Sequence, residues 1–212
     1  MPPVNLEDVS AALERAHRLG TIGGDLEEQL AHCASFSSVL EQVVEGVPAR
    51  GMDLGTGGGL PGVVLAALWA DTSWTLVDMR EARAVEVERT VARLGLVDRV
   101  EVVSGDAQQV AHDPSYREAM DVLVARAFGP ASITAECAAG LVRVGGVFVV
   151  SEPPEADAER WHERSLVAMG FALPRIISSE SARFAVFTKL TAAPDSIPRL
   201  PPRSNRGWYQ QA

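Results

Sequence analysis

Seven residues, Asp53-Leu54-Gly55-Thr56-Gly57-Gly58-Gly59, constrain what this chain can fold into more than any others. They follow a short β-rich run, residues 50–54, and precede an apolar stretch, residues 61–69, that reads as a helix with Pro61 in its first turn. Four glycines therefore crowd a strand-to-helix turn. Glycine has no Cβ, so such a turn lets the main chain come close to a ligand and adopt conformations closed to other residues. A strand, a tight loop and a helix in succession are the first half of a βαβ unit, which needs a parallel sheet covered by helices.

A literal GxGxxG runs from Gly57 to Gly62 and fits a dinucleotide fingerprint. The register favours another reading. In the dinucleotide turn the first glycine comes directly off the strand; here that glycine is Gly55, which generates GxGxG with Asp53 just before it. This is the pattern of S-adenosylmethionine methyltransferases. The chemistry explains the acid, because a sulfonium cofactor carries an amino-acid tail with a cationic ammonium and no pyrophosphate to set on a bare helix N-terminus. Asp53 can serve that ammonium, directly or through water. The second strand ends at Asp78, where an acid accepts ribose hydroxyls, and Gly105-Asp106-Ala107 closes the third, where adenine is expected. For each acid a helix cap or a solvated loop charge is the competing reading, and three acids at successive strand ends favour the cofactor.

The rest of the chain repeats the alternation. Helices are expected over residues 5–19 and 25–44, the second opened by Asp25 and Glu28 at capping-box spacing. Strands follow at 74–78, 100–104, 121–125 and 147–151. Helices are expected at 81–94, closed by Gly95, at 132–142, and at 157–169, ended by Gly170. Gly145-Gly146 reads as the turn into the fifth strand. Two last strands, 173–178 and 183–190, are separated by too few residues for a parallel crossover and should pair as an antiparallel hairpin. Pro194, Pro198, Pro201 and Pro202 punctuate an extended tail. The expected fold is α/β, a mostly parallel seven-stranded sheet with an antiparallel hairpin strand. One domain is expected: a helical cap over 1–48, a cofactor-binding core over 49–190 and the tail over 191–212.

Composition narrows function. The longest apolar run, residues 63–70, is far short of the roughly 20 residues of a membrane span, and the first ten residues lack a basic-then-apolar signal. Cys33 and Cys137 are isolated, without the spacing of a zinc site or a disulfide framework, so no metal is expected and the address is cytoplasmic. With 19 basic against 28 acidic side chains the net charge is -9, which opposes non-specific nucleic-acid binding. Basic charge concentrates in the tail, at Arg199, Arg203 and Arg206, with Trp208 and Tyr209 nearby.

Four segments then resemble a known family, the small-subunit ribosomal RNA guanine-N7 methyltransferases, also called the glucose-inhibited division protein B family. They are residues 52–62, Leu76-Val77-Asp78 with Arg83, Ala125-Arg126-Ala127 with Pro130, and Pro198-Arg199. The resemblance implies a Rossmann-like class I fold, S-adenosyl-L-methionine as cofactor, and ribosomal RNA or the small ribosomal subunit as partner. It assigns the cofactor to Asp53, Gly55, Thr56, Gly57, Gly59, Asp78, Met79, Asp106, Ala107 and Arg126. Substrate falls to Arg126, Pro130, Arg199 and Arg203, with Arg126 as the catalytic candidate. Two segments depart from the family: Gly105-Asp106-Ala107-Gln108 stands where Gly-Arg-Ala-Glu is usual, and Ser151-Glu152-Pro153-Pro154 replaces a basic motif.

Guanine N7 bears a lone pair and no proton, so its methylation needs alignment and exclusion of water more than a general base. The sequence carries no Asn/Asp-Pro-Pro-Tyr/Phe motif after the fourth strand, and Cys137 falls inside an expected helix, which makes it core. Arg126, at the end of the fourth strand, is expected beside the transferred methyl, with an ion pair to a site carboxylate as its competing role. His32 and His112 are lone histidines; His32, on the amino-terminal helix, is expected to pack or lie on the helix surface, with lining the cofactor mouth as its competing role. Methylation of a small molecule or another macromolecule, and cofactor binding without catalysis, remain open alternatives.

Overall fold

A computed structural model describes residues 4–153, 155, 160–179, 182–201 and 207–210. Its contacts divide the chain into two compact units, residues 1–105 and 106–212. The first begins with α1 (Leu6–Arg18) and α2 (Leu26–Val43), followed by β1 (Arg50–Leu54), α3 (Gly62–Leu68), β2 (Ser73–Asp78), α4 (Glu81–Arg93) and β3 (Val100–Ser104). The second holds α5 (Ala107–Val110), β4 (Met120–Ala125), α6 (Ala131–Leu141), β5 (Val142–Glu152), α7 (Glu163–Ala168), β6 (Arg175–Ser178) and β7 (Arg183–Thr188). The sheet is seven-stranded, in the order β3-β2-β1-β4-β5-β7-β6.

In the first unit β1, β2 and β3 run parallel, and the glycine-rich loop leaves the carboxyl end of β1. Residues buried on both faces of the strands, among them Met52, Leu54, Leu76 and Val77, produce the near-continuous apolar runs of a covered parallel sheet. The amino-terminal helices start where their caps demand. Asn5 and Asp8 exchange backbone and side-chain hydrogen bonds as a capping box, and the Asp25 carboxylate accepts the Glu28 N–H at 3.0 Å. Gly95, with φ of 66°, follows the last turn of α4 as expected.

In the second unit β4 and β5 are parallel, and β7 runs antiparallel to both β5 and β6, as the short connection requires. Phe148, Phe171 and Phe187 pack there with Trp161, whose ring lies edge-on to Phe187 at 4.8 Å between centroids. Two expectations are corrected. The fifth strand starts at Val142, not Val147, and the Gly145-Gly146 pair lies inside it. Its register against β4 jumps between Met120 and Val122, the mark of a bulge, and a Cβ on Gly146 would meet the Met120 and Asp121 carbonyl oxygens at 2.9 Å. The helix expected over 157–169 spans Glu163–Ala168, with residues 156–159 outside the described ones.

Candidate active site

Asp53 is fully buried at the penultimate position of β1. Its Oδ2 accepts the N–H of Gly62 at 2.8 Å, so the carboxylate anchors the first residue of α3 beneath the glycine loop. Gly62 has no freedom to be anything else, because a Cβ there would lie 2.3 Å from Leu76 Cδ2 and 2.7 Å from Asp53 Oδ2. Pro61, expected in the first turn, is the residue just before it and caps the helix. The loop is also tied to β2, where the Val77 carbonyl accepts the N–H groups of Gly55 at 2.9 Å and Thr56 at 2.8 Å.

Gly55 and Gly57 have φ of 76° and 58°, the left-handed region that glycine supplies without strain. Around Gly57 there is room, since an added Cβ would find only Gly55 O at 3.9 Å and Arg83 Nη1 at 4.0 Å. Gly58 is different. A Cβ on it would meet Ile22 Cγ1 at 2.5 Å and Thr21 O at 3.1 Å, so the turn between α1 and α2 seats directly on the loop. Gly59, with φ of 103°, lies against Val63 and Leu13.

Asp78 closes β2 and braces the same loop. Its Oδ2 accepts the Gly57 N–H at 2.9 Å, its Oδ1 accepts the Arg80 N–H at 2.8 Å, and Arg83 Nη1 stands 3.8 Å from Oδ2. Each carboxylate oxygen has a second lone pair, so the braced acid still has capacity to accept. Met79, the next residue, is 73% exposed. The Thr56 hydroxyl is buried with no hydrogen-bond partner among the described residues, and Arg15, paired to Glu86 at 2.8 Å, ties α1 to α4. Sequence reasoning placed Gly62 in the loop motif without its contact to Asp53 and missed Arg80 and Ile22, whose contributions are a main-chain N–H and a close packing contact. The one legible signal was the presence of glycine itself.

In the second unit Asp106 caps α5, its Oδ1 accepting the Gln108 N–H at 2.8 Å, and Ala107 is the buried first residue of that helix. Asp106 therefore takes the helix-cap role that competes with cofactor binding. Arg126 follows β4 and is half-buried, and Ala127 beside it has φ of 51°. A non-glycine residue in that region is held there against its preference, a kind of strain that clusters at functional sites. Pro130 is exposed at the start of α6.

Arg199 is engaged within the fold. Its guanidinium pairs with Glu136, a fully buried carboxylate of α6, through Nε at 2.9 Å and through Nη2. Arg203 and Arg206 lie outside the described residues. His112 donates to the Pro198 carbonyl at 2.7 Å, while His32 is half-buried with its ring 6.0 Å from Phe36. Trp208 packs 6.1 Å from Trp161. Cys137 is buried as expected, and burial, helped by the Asp106 and Glu136 charges, pushes its thiol well above the ordinary range, which makes it inert. Among the described residues no group of His, Cys, Asp and Glu gathers as a metal site, and no helix is long and apolar enough to cross a membrane.

A mixed sheet in this order, with a glycine loop after β1 and an acid closing β2, defines a Rossmann-like methyltransferase fold. A methyltransferase from Geobacter sulfurreducens superposes with a TM-score of 0.63 at 19% identity, over 90% of this chain and 91% of that one. The family model GidB, rRNA small subunit methyltransferase G, matches residues 21–172, and the chain belongs to that family. Ribosomal RNA small subunit methyltransferase G of Pelotomaculum thermopropionicum is 29% identical over 204 residues, which are 92% of this chain and 85% of that protein. The protein of the same name from Lactobacillus delbrueckii subsp. bulgaricus is 32% identical over 74% of this chain and 69% of its own.

Proposed function

We propose that this protein transfers the methyl group of S-adenosylmethionine to N7 of a guanine in 16S ribosomal RNA. The observation that carries the reading is the glycine loop braced by Asp53 from below and Asp78 from the side, in a chain of this family. The residues present suit the cofactor. The space over Gly57 and the buried, unpartnered Thr56 hydroxyl suit a polar ligand against the main chain. Asp53 supplies negative charge for an ammonium, Asp78 acceptor capacity for ribose hydroxyls, and exposed Met79 an apolar, polarizable face for an adenine ring. Asp106 and Ala107 are the candidates for the far edge of that ring.

The cofactor supplies an electrophilic methyl on a sulfonium. The protein's work is binding, orientation and exclusion of water. N7 of guanine already offers a lone pair, so no side chain has to take a proton from the acceptor. Arg126 orients the acceptor, its planar guanidinium matching a phosphate or the O6 acceptor of the guanine edge. Cytoplasmic ribosomal RNA, or the small subunit that holds it, is the partner. Incubating the purified protein and methyl-labelled S-adenosylmethionine with small subunits from a strain lacking the gene tests this. Label in 16S RNA supports the reading, and label absent from RNA while the cofactor binds contradicts it.

A further inference from the structure

Around the carboxyl ends of β4 and β5, residues of the second unit line a cavity of about 340 Å3. Its wall includes Phe128, Thr134, Ser151, Glu152, Pro153 and Arg160. That volume is at the lower end of small-ligand pockets, a size for one base and not for a helix. The wall is chemically uneven. Phe128 and Pro153 supply flat apolar surfaces of the kind on which an unstacked base rests. Glu152 is a carboxylate whose side chain is 2% exposed. Trp161 Nε1 donates to its Oε1 at 2.8 Å, and Arg160 Nε stands 3.6 Å from Oε2. That Arg160 Nε is itself buried without a hydrogen-bond partner among the described residues. An ionised carboxylate has about four lone-pair sites. Two such neighbours leave acceptor capacity on Glu152, in a cavity where a buried donor also lacks its acceptor.

We infer that this cavity receives the acceptor base, and that Glu152 selects guanine there by accepting its N1–H and 2-amino hydrogens. The inference rests on the methyl-transfer reading above and deepens it. Guanine alone among the four bases sets two donors side by side on its Watson–Crick edge, with the O6 acceptor next to them. Adenine places the N1 lone pair where guanine has N1–H and lacks the 2-amino group, so it would set lone pair against lone pair. Cytosine likewise turns an acceptor to the carboxylate, and uracil offers a single N–H between two carbonyls. N7 lies on the other ring, away from the Watson–Crick edge, so this pairing leaves the methyl-accepting atom uncovered. Glu152 moves no proton; it fixes which base enters and how. An acid at the end of the fifth strand, where the family resemblance calls for basic residues, becomes a reader of the base and not a lost phosphate contact.

The probes are guanosine, inosine and adenosine 5′-monophosphates, titrated by calorimetry into the full chain with S-adenosylhomocysteine saturating. Inosine monophosphate lacks only the 2-amino group. Wild type is expected to prefer the guanosine nucleotide to the inosine nucleotide by about tenfold, and to the adenosine nucleotide by more. E152Q keeps an oxygen for Trp161 but turns an amide N–H toward the base, and is expected to bind the first two alike. If wild type binds the three alike, or binds none, the inference is overturned, and this test needs no variant to fold. A folded E152Q that weakens every nucleotide by one common factor also overturns it, because that is what a structural role would do. Guanine preference in a protein that leaves ribosomal RNA unmethylated would sink the methyl-transfer reading and keep the base site. Methylation without the preference would do the reverse.

Discussion

The Asp53 carboxylate holds the glycine loop, in the proposed function it also offers charge to the cofactor, and mutation separates the two roles. Asp53→Asn keeps an oxygen for the Gly62 N–H and removes the charge. It is expected to fold normally and to bind S-adenosylhomocysteine roughly 1.5 to 3 kcal/mol more weakly. Asp53→Ala should in addition lose about 1 to 3 kcal/mol of folding stability, because the Gly62 N–H loses its acceptor. Urea unfolding alongside calorimetry distinguishes them, and equal stability of the two variants would remove the bracing role. Arg126→Ala is expected to leave cofactor affinity within about twofold and to lower methyl transfer by 100-fold or more, a loss of orientation alone. Arg126→Lys should not restore it, since a point charge cannot reproduce a planar fork. Loss of cofactor binding in Arg126→Ala would instead place the residue in the cofactor site. Residue types and spacing single out Asp53, Asp78 and Arg126 as candidates, and the structure sets the two acids against the glycine loop. The sequence could not show that both acids also accept main-chain N–H groups, because those donors belong to Gly62, Gly57 and Arg80, whose identity carries no hydrogen-bonding signature.

Among the elements, those with strong periodicity or caps were read closely. The strands at 50–54 and 100–104, the capped start of α2, and the antiparallel pairing of β6 with β7 are where pattern and turn length place them. Two features escaped. Helix α5 is four residues long, too short to show a helical period, and starts because Asp106 caps it. The strand β5 runs through a glycine pair that reads as a turn, because a bulge keeps the ladder going on both sides of it. Gly170 reads as a helix stop, and the structure adds a second constraint: φ is 91°, and a Cβ would lie 2.1 Å from the Thr191 carbonyl oxygen. Gly170→Ala is therefore expected to destabilise the protein by about 2 kcal/mol or more, beyond the strain of the turn alone. Denaturant unfolding measures this, and a change under about 0.5 kcal/mol, the scale of an ordinary surface substitution, would contradict it.

At the scale of the whole chain, composition foretold an acidic protein with a basic tail, and the structure shows what part of that tail does. Residues 191–199 form no helix or strand yet are pinned in place. Arg117 Nη1 donates to the Ile197 carbonyl at 2.8 Å, the Ala193 N–H to Glu118 at 2.8 Å, and the Arg199 N–H to Glu136 at 2.8 Å. Sequence alone could not foresee this, because the partner of Arg199 is an acid 63 residues away on a helix expected from its apolar pattern. Arg199→Ala should leave the Glu136 charge buried and uncompensated, costing about 3 to 5 kcal/mol, and adding Glu136→Gln should recover much of it. If the double variant is no more stable than the single, the pair is not what holds the segment. With Arg199 engaged and net charge of -9, affinity for ribosomal RNA should fall with salt along a shallow slope. A slope of about −2 in log affinity against log salt, the equivalent of three single-strand phosphates, is expected. Filter binding across a salt series reads it, and a slope several times steeper would require a basic surface that the composition does not supply. The most direct measurement is mass spectrometry of 16S RNA nucleosides from a strain lacking the gene, before and after the purified protein and S-adenosylmethionine are added. One 7-methylguanosine, absent before and present after, is the expected result. No gain of that nucleoside, or a gain of methyl at another atom or base, would contradict the transfer to guanine N7.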